Sequence, residues 1–236
     1  MSPGMAAAGA ASAIVGRIVL VTGGATGIGA AVVRALVSRG HAVAIHCHSS
    51  LREARQLAEV AVDSGVPALA VTADLREEPA VRALVHRVAE HFGRIDALVT
   101  CAAIDRPTPL EELSPADLRS HFDITCVGAL LMAQEVVAVM ARQEAGGVIV
   151  MPMASTAEPP APGHVPAFTA AAAIPGLVRS LAVECDARHS RVRVHGLAMA
   201  SPPSVKSLEG VADAVVRLIE GLATNGACLP ADTPTG

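Results

Sequence analysis

The chain of 236 residues contains no tyrosine and no tryptophan, and only three phenylalanines. No phenol is therefore available anywhere to exchange a proton with a substrate. Lysine occurs once, at Lys206, so the chain carries a single amine side chain. Charged residues make up 17% and the net charge is −4. No basic run exists to neutralise phosphates, which argues against a nucleic-acid surface. No apolar stretch reaches membrane-spanning length without a charge or a glycine in it, so no membrane span is expected. The five cysteines, Cys47, Cys101, Cys126, Cys185 and Cys228, are odd in number and lack metal-ligand spacing. They read as reduced, mostly buried small hydrophobes of a cytoplasmic protein, with no metal site. The first thirteen residues are small and almost uncharged and lack a basic n-region. They read as a flexible tail rather than a signal peptide, ahead of one domain over 14–236.

What the chain has is hydrophobic content, 52%, laid out in alternation. Apolar strand-like runs at 17–21, 42–46, 66–72, 94–100, 147–151, 191–197 and 227–230 alternate with helix-period segments. Those helices are expected at 27–39, 51–64, 77–92, 115–141, 168–187 and 208–222, with Ser49 and Ser50 capping the second and Ser114-Pro115 opening the fourth. Such alternation predicts right-handed βαβ units and a parallel sheet covered on both faces. The stretch Glu158-Pro-Pro-Ala-Pro-Gly163 can be neither helix nor central strand.

The densest signal is Val19-Leu-Val-Thr-Gly23-Gly24-Ala25-Thr26-Gly27-Ile28-Gly29. A strand, a turn poor in Cβ atoms and a helix N-terminus together form a phosphate site. Gly23 is expected to make the tight turn, Gly27 to let backbone approach a pyrophosphate, and Gly29 to permit close helix–strand packing. The spacing Gly-x-x-x-Gly-x-Gly, with Thr22 before it and Ile28 within it, resembles the short-chain dehydrogenase/reductase family. So do Ala73-Asp74-Leu75, Gly176 to Glu184, Val192-Arg-Val194, Asn225-Gly226 and Asp232. The resemblance implies a single-domain, Rossmann-like, doubly wound parallel α/β sheet of about seven strands with helices on both faces. It also implies a dinucleotide held by Gly23, Ala25, Thr26, Gly27, Ile28, Gly29, Leu75, Cys101 and Ala102, with Asp74 receiving the adenine ring. Asp74 could equally cap the following helix.

An acid that bonds the ribose 2′-hydroxyl is expected about twenty residues past the glycines. That position falls at Cys47, where His46, His48, Ser49 and Ser50 carry no negative charge and Arg52 opens the next helix. An uncharged or basic pocket of His48, Ser49 and Arg52 suits NADP(H) better than NAD(H). A solvated arginine beside capping serines, with no cofactor bound, reads the same residues equally well.

The family's chemistry needs a Ser, a Tyr, a Lys one helical turn on, and an Asn. Ser155 stands at the serine position. Phe168 takes the place of the tyrosine, Ala172 that of the lysine, and Thr125 that of the asparagine. Thr100-Cys101-Ala102-Ala103 replaces the usual Asn-Asn-Ala-Gly, and Ala198-Met199 replaces a Pro-Gly. The loop from Ser201 to Ser207 is short for a substrate lid. His164, Glu158 and His195 are the nearest titratable candidates, His164 the foremost as a proton carrier and His195 more readily a structural histidine.

Three functions fit these residues. One is an atypical NADP(H)-dependent reductase of a small molecule in a biosynthetic pathway, acting on an iminium or an activated double bond. The second is the same fold turned to a cyclase, isomerase or dehydratase. The third is a silent subunit. The resemblance implies a homodimer or homotetramer assembled through the helices at 115–141 and 168–187, or a hetero-oligomer with an active relative.

Overall fold

The computed structural model describes residues 16–104, 106–154, 161–199, 205–221 and 225–231. Strand β1 (Ile18–Thr22) leads through the glycine turn into α1 (Gly27–Ser38). There follow β2 (Ala42–Cys47), α2 (Leu51–Asp63), β3 (Ala68–Thr72), α3 (Glu78–Phe92) and β4 (Ala97–Thr100). The second half adds α4 (Pro115–Phe122), α5 (Gly128–Met140), β5 (Gly147–Ala154), α6 (Val165–Ala187), β6 (Val192–Met199), α7 (Val205–Glu220) and β7 (Cys228–Pro230).

All seven strands are parallel, in the order β3-β2-β1-β4-β5-β6-β7. The chain leaves β1 towards β2 and β3, then crosses back to β4 on the other side. The crevice between the carboxyl ends of β1 and β4 is therefore a topological switch point, where open α/β sheets hold their ligands. Side chains alternate across β1. Val19 and Val21 pack with Leu36 of α1 and Val215 of α7 on one face. Leu20 packs with Val85 of α3, Met132 of α5 and Val178 of α6 on the other. Burial on both faces explains why β1 and β2 read as unbroken apolar runs rather than alternating ones.

Several expectations from sequence need correction. The helix expected over 115–141 is two helices joined by a π-turn at Asp123–Val127. A single extra residue in a turn leaves the apolar periodicity nearly intact, so the pattern does not show it. The start of that helix is as expected. The Ser114 hydroxyl accepts from the Asp117 N–H, and the Asp117 carboxylate accepts the Ser114 N–H at 2.9 Å. At α2, by contrast, Ser50 holds the cap position and its side chain caps nothing. Asp74 does not cap α3, whose first flanking residue is Glu77; its carboxylate turns to Arg76 instead. Helix α6 starts at Val165 rather than Phe168 because Pro166 suits the first turn, and β6 runs on to Met199.

By length and composition alone, Pro115–Met140 and Val165–Ala187 pass as membrane-spanning segments, although each carries charged residues and a glycine. Charges are too sparse in either stretch to fail that test. The first is broken by the π-turn, and both helices pack on the sheet through residues such as Met132, Val136, Ile174 and Val178.

Candidate active site

The glycine turn is fixed by its neighbours. Gly23 sits at φ +60°, and a Cβ there would lie 2.8 Å from the Ala102 backbone, so the turn and the loop after β4 close on each other. Thr22 ties the same two segments: its Oγ1 accepts the Ala102 N–H at 3.2 Å and its carbonyl accepts the Cys101 N–H. A Cβ on Gly29 would meet the Gly23 carbonyl oxygen at 2.1 Å. Helix α1 is thereby held against the turn that its N-terminus faces. Gly27 differs from both. It sits at φ +52°, and a Cβ there would meet nothing within 4 Å. The room a side chain would fill opens into the cavity, beside backbone N–H groups that the first helical turn leaves without partners.

His46 holds the turn from below. The Gly23 N–H donates to its Nδ1 at 3.4 Å, so the proton sits on Nε2, which donates to the Ala73 carbonyl at 3.2 Å. Burial holds this imidazole below its ordinary value, the Ala73 hydrogen bond partly opposing and His48 adding to the depression. His46 is thus a neutral strut between the ends of β2 and β3.

Around these elements lies a cavity of about 470 Å³, the size of a small-molecule site. Its floor is Gly23, Ala25, Thr26, Gly27, Ile28 and Gly29. One end is polar, lined by His46, Cys47, His48, Ser49, Ser50, Asp74 and Arg76 with Leu75. Arg76 grips Asp74 with two guanidinium nitrogens, Nε at 2.9 and 3.1 Å from the two carboxylate oxygens and Nη2 on Oδ2. The His48 Nε2 lies 3.7 Å from the same carboxylate. The hydrogen bonds from Arg76 hold the Asp74 carboxyl down at about 2, against the weaker upward effect of partial burial.

The other end is apolar: Cys101, Ala102, Ala103, Ile104, Ile124 and Leu208. Among the described residues its one titratable group is the Cys101 thiol, which burial pushes up to about 12. At neutral pH that thiol neither gives up its proton nor attacks a substrate. Burial likewise raises the Cys47 thiol, with Glu53 adding to it.

The residues expected from sequence divide three ways. The glycine turn, His48, Ser49, Asp74, Leu75, Cys101 and Ala102 come together around the cavity. Arg52, Thr125, His164, Phe168 and Ala172 are not among the described residues that line it. Arg52 is exposed on α2; Thr125 sits half-buried in the π-turn, where its neighbour Ile124 faces the cavity instead. Phe168 is half-buried in the first turn of α6, Ala172 is exposed, and the Nδ1 of His164 bonds the Pro162 carbonyl at 3.0 Å. Ser155, Glu158 and Asp232 lie outside the described residues. His195 is fully buried in β6, opposite Val150 of β5. Asn225 serves structure: its Oδ1 accepts the Val194 N–H at 2.8 Å and its Nδ2 donates to Asp186 at 2.9 Å.

Arg76, Ile104, Ile124 and Leu208 also line the site and were not expected there from the sequence. Arg76 was within reach, since a residue two places past the Asp74 position follows the same strand end. The apolar three carry no chemical signature, and only the fold collects them.

A parallel sheet of this order, with a glycine turn at its switch point and a carboxylate at the end of β3, defines a Rossmann-like, doubly wound domain. The short chain dehydrogenase family model matches residues 17–207, and the chain belongs to that family. It is 32% identical to a hydroxynaphthalene reductase of Aspergillus fumigatus over 169 residues, 72% of this chain but only 61% of that relative's length. A hydroxynaphthalene reductase-like protein of Metarhizium anisopliae is 28% identical over 82% of this chain and 70% of its own. Among solved structures, a short-chain dehydrogenase/reductase of Serratia marcescens superposes with a TM-score of 0.80. It is 25% identical, over 92% of this chain and 96% of that one. A short chain dehydrogenase of Mycobacterium smegmatis reaches 0.82 at 22% identity, a likeness of fold alone, over 94% of each chain.

Family members typically bind NAD(P)(H), and the residues present fit such a cofactor. The open space over Gly27 leaves room for a pyrophosphate, and the polar and apolar ends would suit an adenosine and an uncharged ring respectively.

Proposed function

We propose that the protein is an NADP(H)-binding reductase whose acceptor brings its own electrophilic charge, such as an iminium or a strongly activated double bond. One observation carries this reading: among the described residues, the apolar end of the cavity holds no group that exchanges a proton at neutral pH. A bound NADPH would supply a hydride. Adding it to the carbon of an iminium forms a C–H bond and moves the C=N π electrons to nitrogen, which becomes neutral without taking a proton. Adding it to a ketone leaves an alkoxide that must be protonated, and Phe168 stands where the family's phenol would do so. The chain's own part is to hold and shield. The glycine turn seats the pyrophosphate, Ile104, Ile124 and Leu208 keep water from the reacting carbon, and Ser155 is assigned the polar contact to substrate.

The likeness to a hydroxynaphthalene reductase supports reduction over isomerisation or dehydration. The retained glycine turn supports an active chain over a silent subunit, which would need no cradle. We assign self-assembly to α5 and α6. Most of the residues of the apolar stretches Pro115–Met140 and Val165–Ala187 are not buried within the chain, and Val127, Val165 and Val183 stand exposed.

Oxidation of NADPH is followed with a panel of cyclic iminium ions and with the matching ketones. Positioned acid catalysis contributes roughly a hundred- to ten-thousand-fold. Ketones should therefore fall behind iminium ions by at least that factor. Equal rates on the two classes would overturn the proposal.

A further inference from the structure

We propose that Arg76, and not Arg52, selects a cofactor carrying a phosphate on the adenosine 2′-oxygen. This rests on the reading of the cavity as a dinucleotide site and names the residue that sets its preference.

The chain has many arginines, and Arg76 is the one found among the described residues lining the cavity. Among the described lining residues it is also the only permanent cation, since His46 is held neutral by burial. Arg52 lies on the exposed face of α2 and does not line the cavity. Arg76 shares the polar end with His48, Ser49 and Ser50, the residues at the end of β2 where a ribose-binding acid would otherwise stand. No acid lies among those three. Glu53 follows in the first turn of α2, but it is exposed and outside the lining.

The side chain is already in place for such a role. Asp74 holds its Nε and Nη2 in a fork, which fixes the guanidinium plane against the wall of the cavity. Neither of those bonds uses Nη1, whose two N–H groups remain to meet a phosphate. A guanidinium with one edge on a carboxylate and another on a phosphate loses little further side-chain freedom on binding. Asp74 also neutralises Arg76 when the site is empty, so the cavity carries no net charge from this pair to attract unrelated anions.

The probes are 2′,5′-ADP and 5′-ADP, titrated calorimetrically into the full chain, with NADPH and NADH as a second pair. Wild-type protein should favour the 2′-phosphorylated member of each pair. Arg76→Gln should lower that preference about ten- to a hundred-fold, the usual worth of hydrogen bonds to a charged group. A far-ultraviolet circular dichroism spectrum matching wild-type shows that the variant is folded, and its affinity for 5′-ADP should fall by much less than its affinity for 2′,5′-ADP. Arg76→Lys should keep part of the preference, and Arg52→Gln all of it. Preference unchanged in Arg76→Gln, or lost in Arg52→Gln, overturns this assignment while leaving nucleotide binding standing. A wild-type protein that binds both members equally also overturns it. Failure of wild-type to bind any of the four probes refutes the dinucleotide site itself.

Discussion

Gly29→Ala separates the packing account of the glycine turn from ordinary helix propensity. Gly29 lies in α1, and alanine in a helix is worth about 1 kcal/mol more than glycine. On propensity alone the variant would be stabilised. The structure argues the reverse. A Cβ at Gly29 would sit 2.1 Å from the Gly23 carbonyl oxygen and 2.8 Å from the Gly24 Cα, both backbone atoms of the turn. No rotamer change relieves that contact, so α1 must move off the turn. Overpacking of this kind costs about 1–3 kcal/mol. Set against the propensity gain, the net effect should lie between neutral and a loss of about 2 kcal/mol, and the displaced turn should weaken NADPH binding as well. Gly210→Ala is the control: it also lies in a helix, α7, and a Cβ there meets nothing within 4 Å. It should be neutral or stabilised by up to about 1 kcal/mol. Urea unfolding followed by circular dichroism measures both variants, with NADPH titration alongside. If Gly29→Ala is as stable as Gly210→Ala and binds NADPH as tightly as wild-type, the reasoning about the turn fails.

Gly27→Val should abolish binding of NADPH and NADH alike by filling the cradle. Its unfolding free energy should fall by only about 1–2 kcal/mol, the strain of a side chain at φ +52°; retained binding contradicts the assignment. Phe168→Tyr should not yield a useful ketone reductase, because Ala172 offers no cation to tune the new phenol; steady-state ketone assays decide it. The buried, neutral His46 has its proton affinity depressed by folding, so the unfolded chain takes up the proton first. Its contribution to stability is complete above its ordinary value of 6.5 and is lost as pH falls below that towards the depressed folded value. Urea titrations at about pH 7.5 and pH 5.5 should show a smaller drop in His46→Gln than in wild-type. Asp74, held at about 2 by Arg76, acts in the same direction lower down, its contribution complete above 3.8 and lost as pH falls towards 2. Size-exclusion chromatography should give a dimer or tetramer of this chain alone; a monomer, or a stable complex only with an active relative, would shift the assignment of α5 and α6.

Much of the fold was readable because burial on both sheet faces forces continuous apolar strands, and each of the first six is followed by a helix. Val19 to Val21 and Ala42 to Ile45 announce themselves that way. The glycine turn was equally legible, since Gly23 and Gly29 occupy places where a Cβ would strike backbone. The π-turn was not, because Ile124 and Thr125 look the same in sequence whether the helix winds by four or by five. Arg76 and Arg52 show the limit most clearly. Both follow a strand end by a few residues, and only the direction in which each helix or loop departs decides which one lines the cavity. The His46 strut was hidden for a related reason: its partners, Gly23 and Ala73, lie on other segments of the chain.

The central claim is that a working dinucleotide site survives in a chain that has lost its family's proton relay. Direct titration of NADPH into the purified protein tests it most simply, because a chain without tryptophan or tyrosine contributes little near-ultraviolet signal of its own. The account predicts saturable binding of one NADPH per chain, lost in Gly27→Val. Wild-type protein that shows no saturable binding of NADPH or NADH would contradict it.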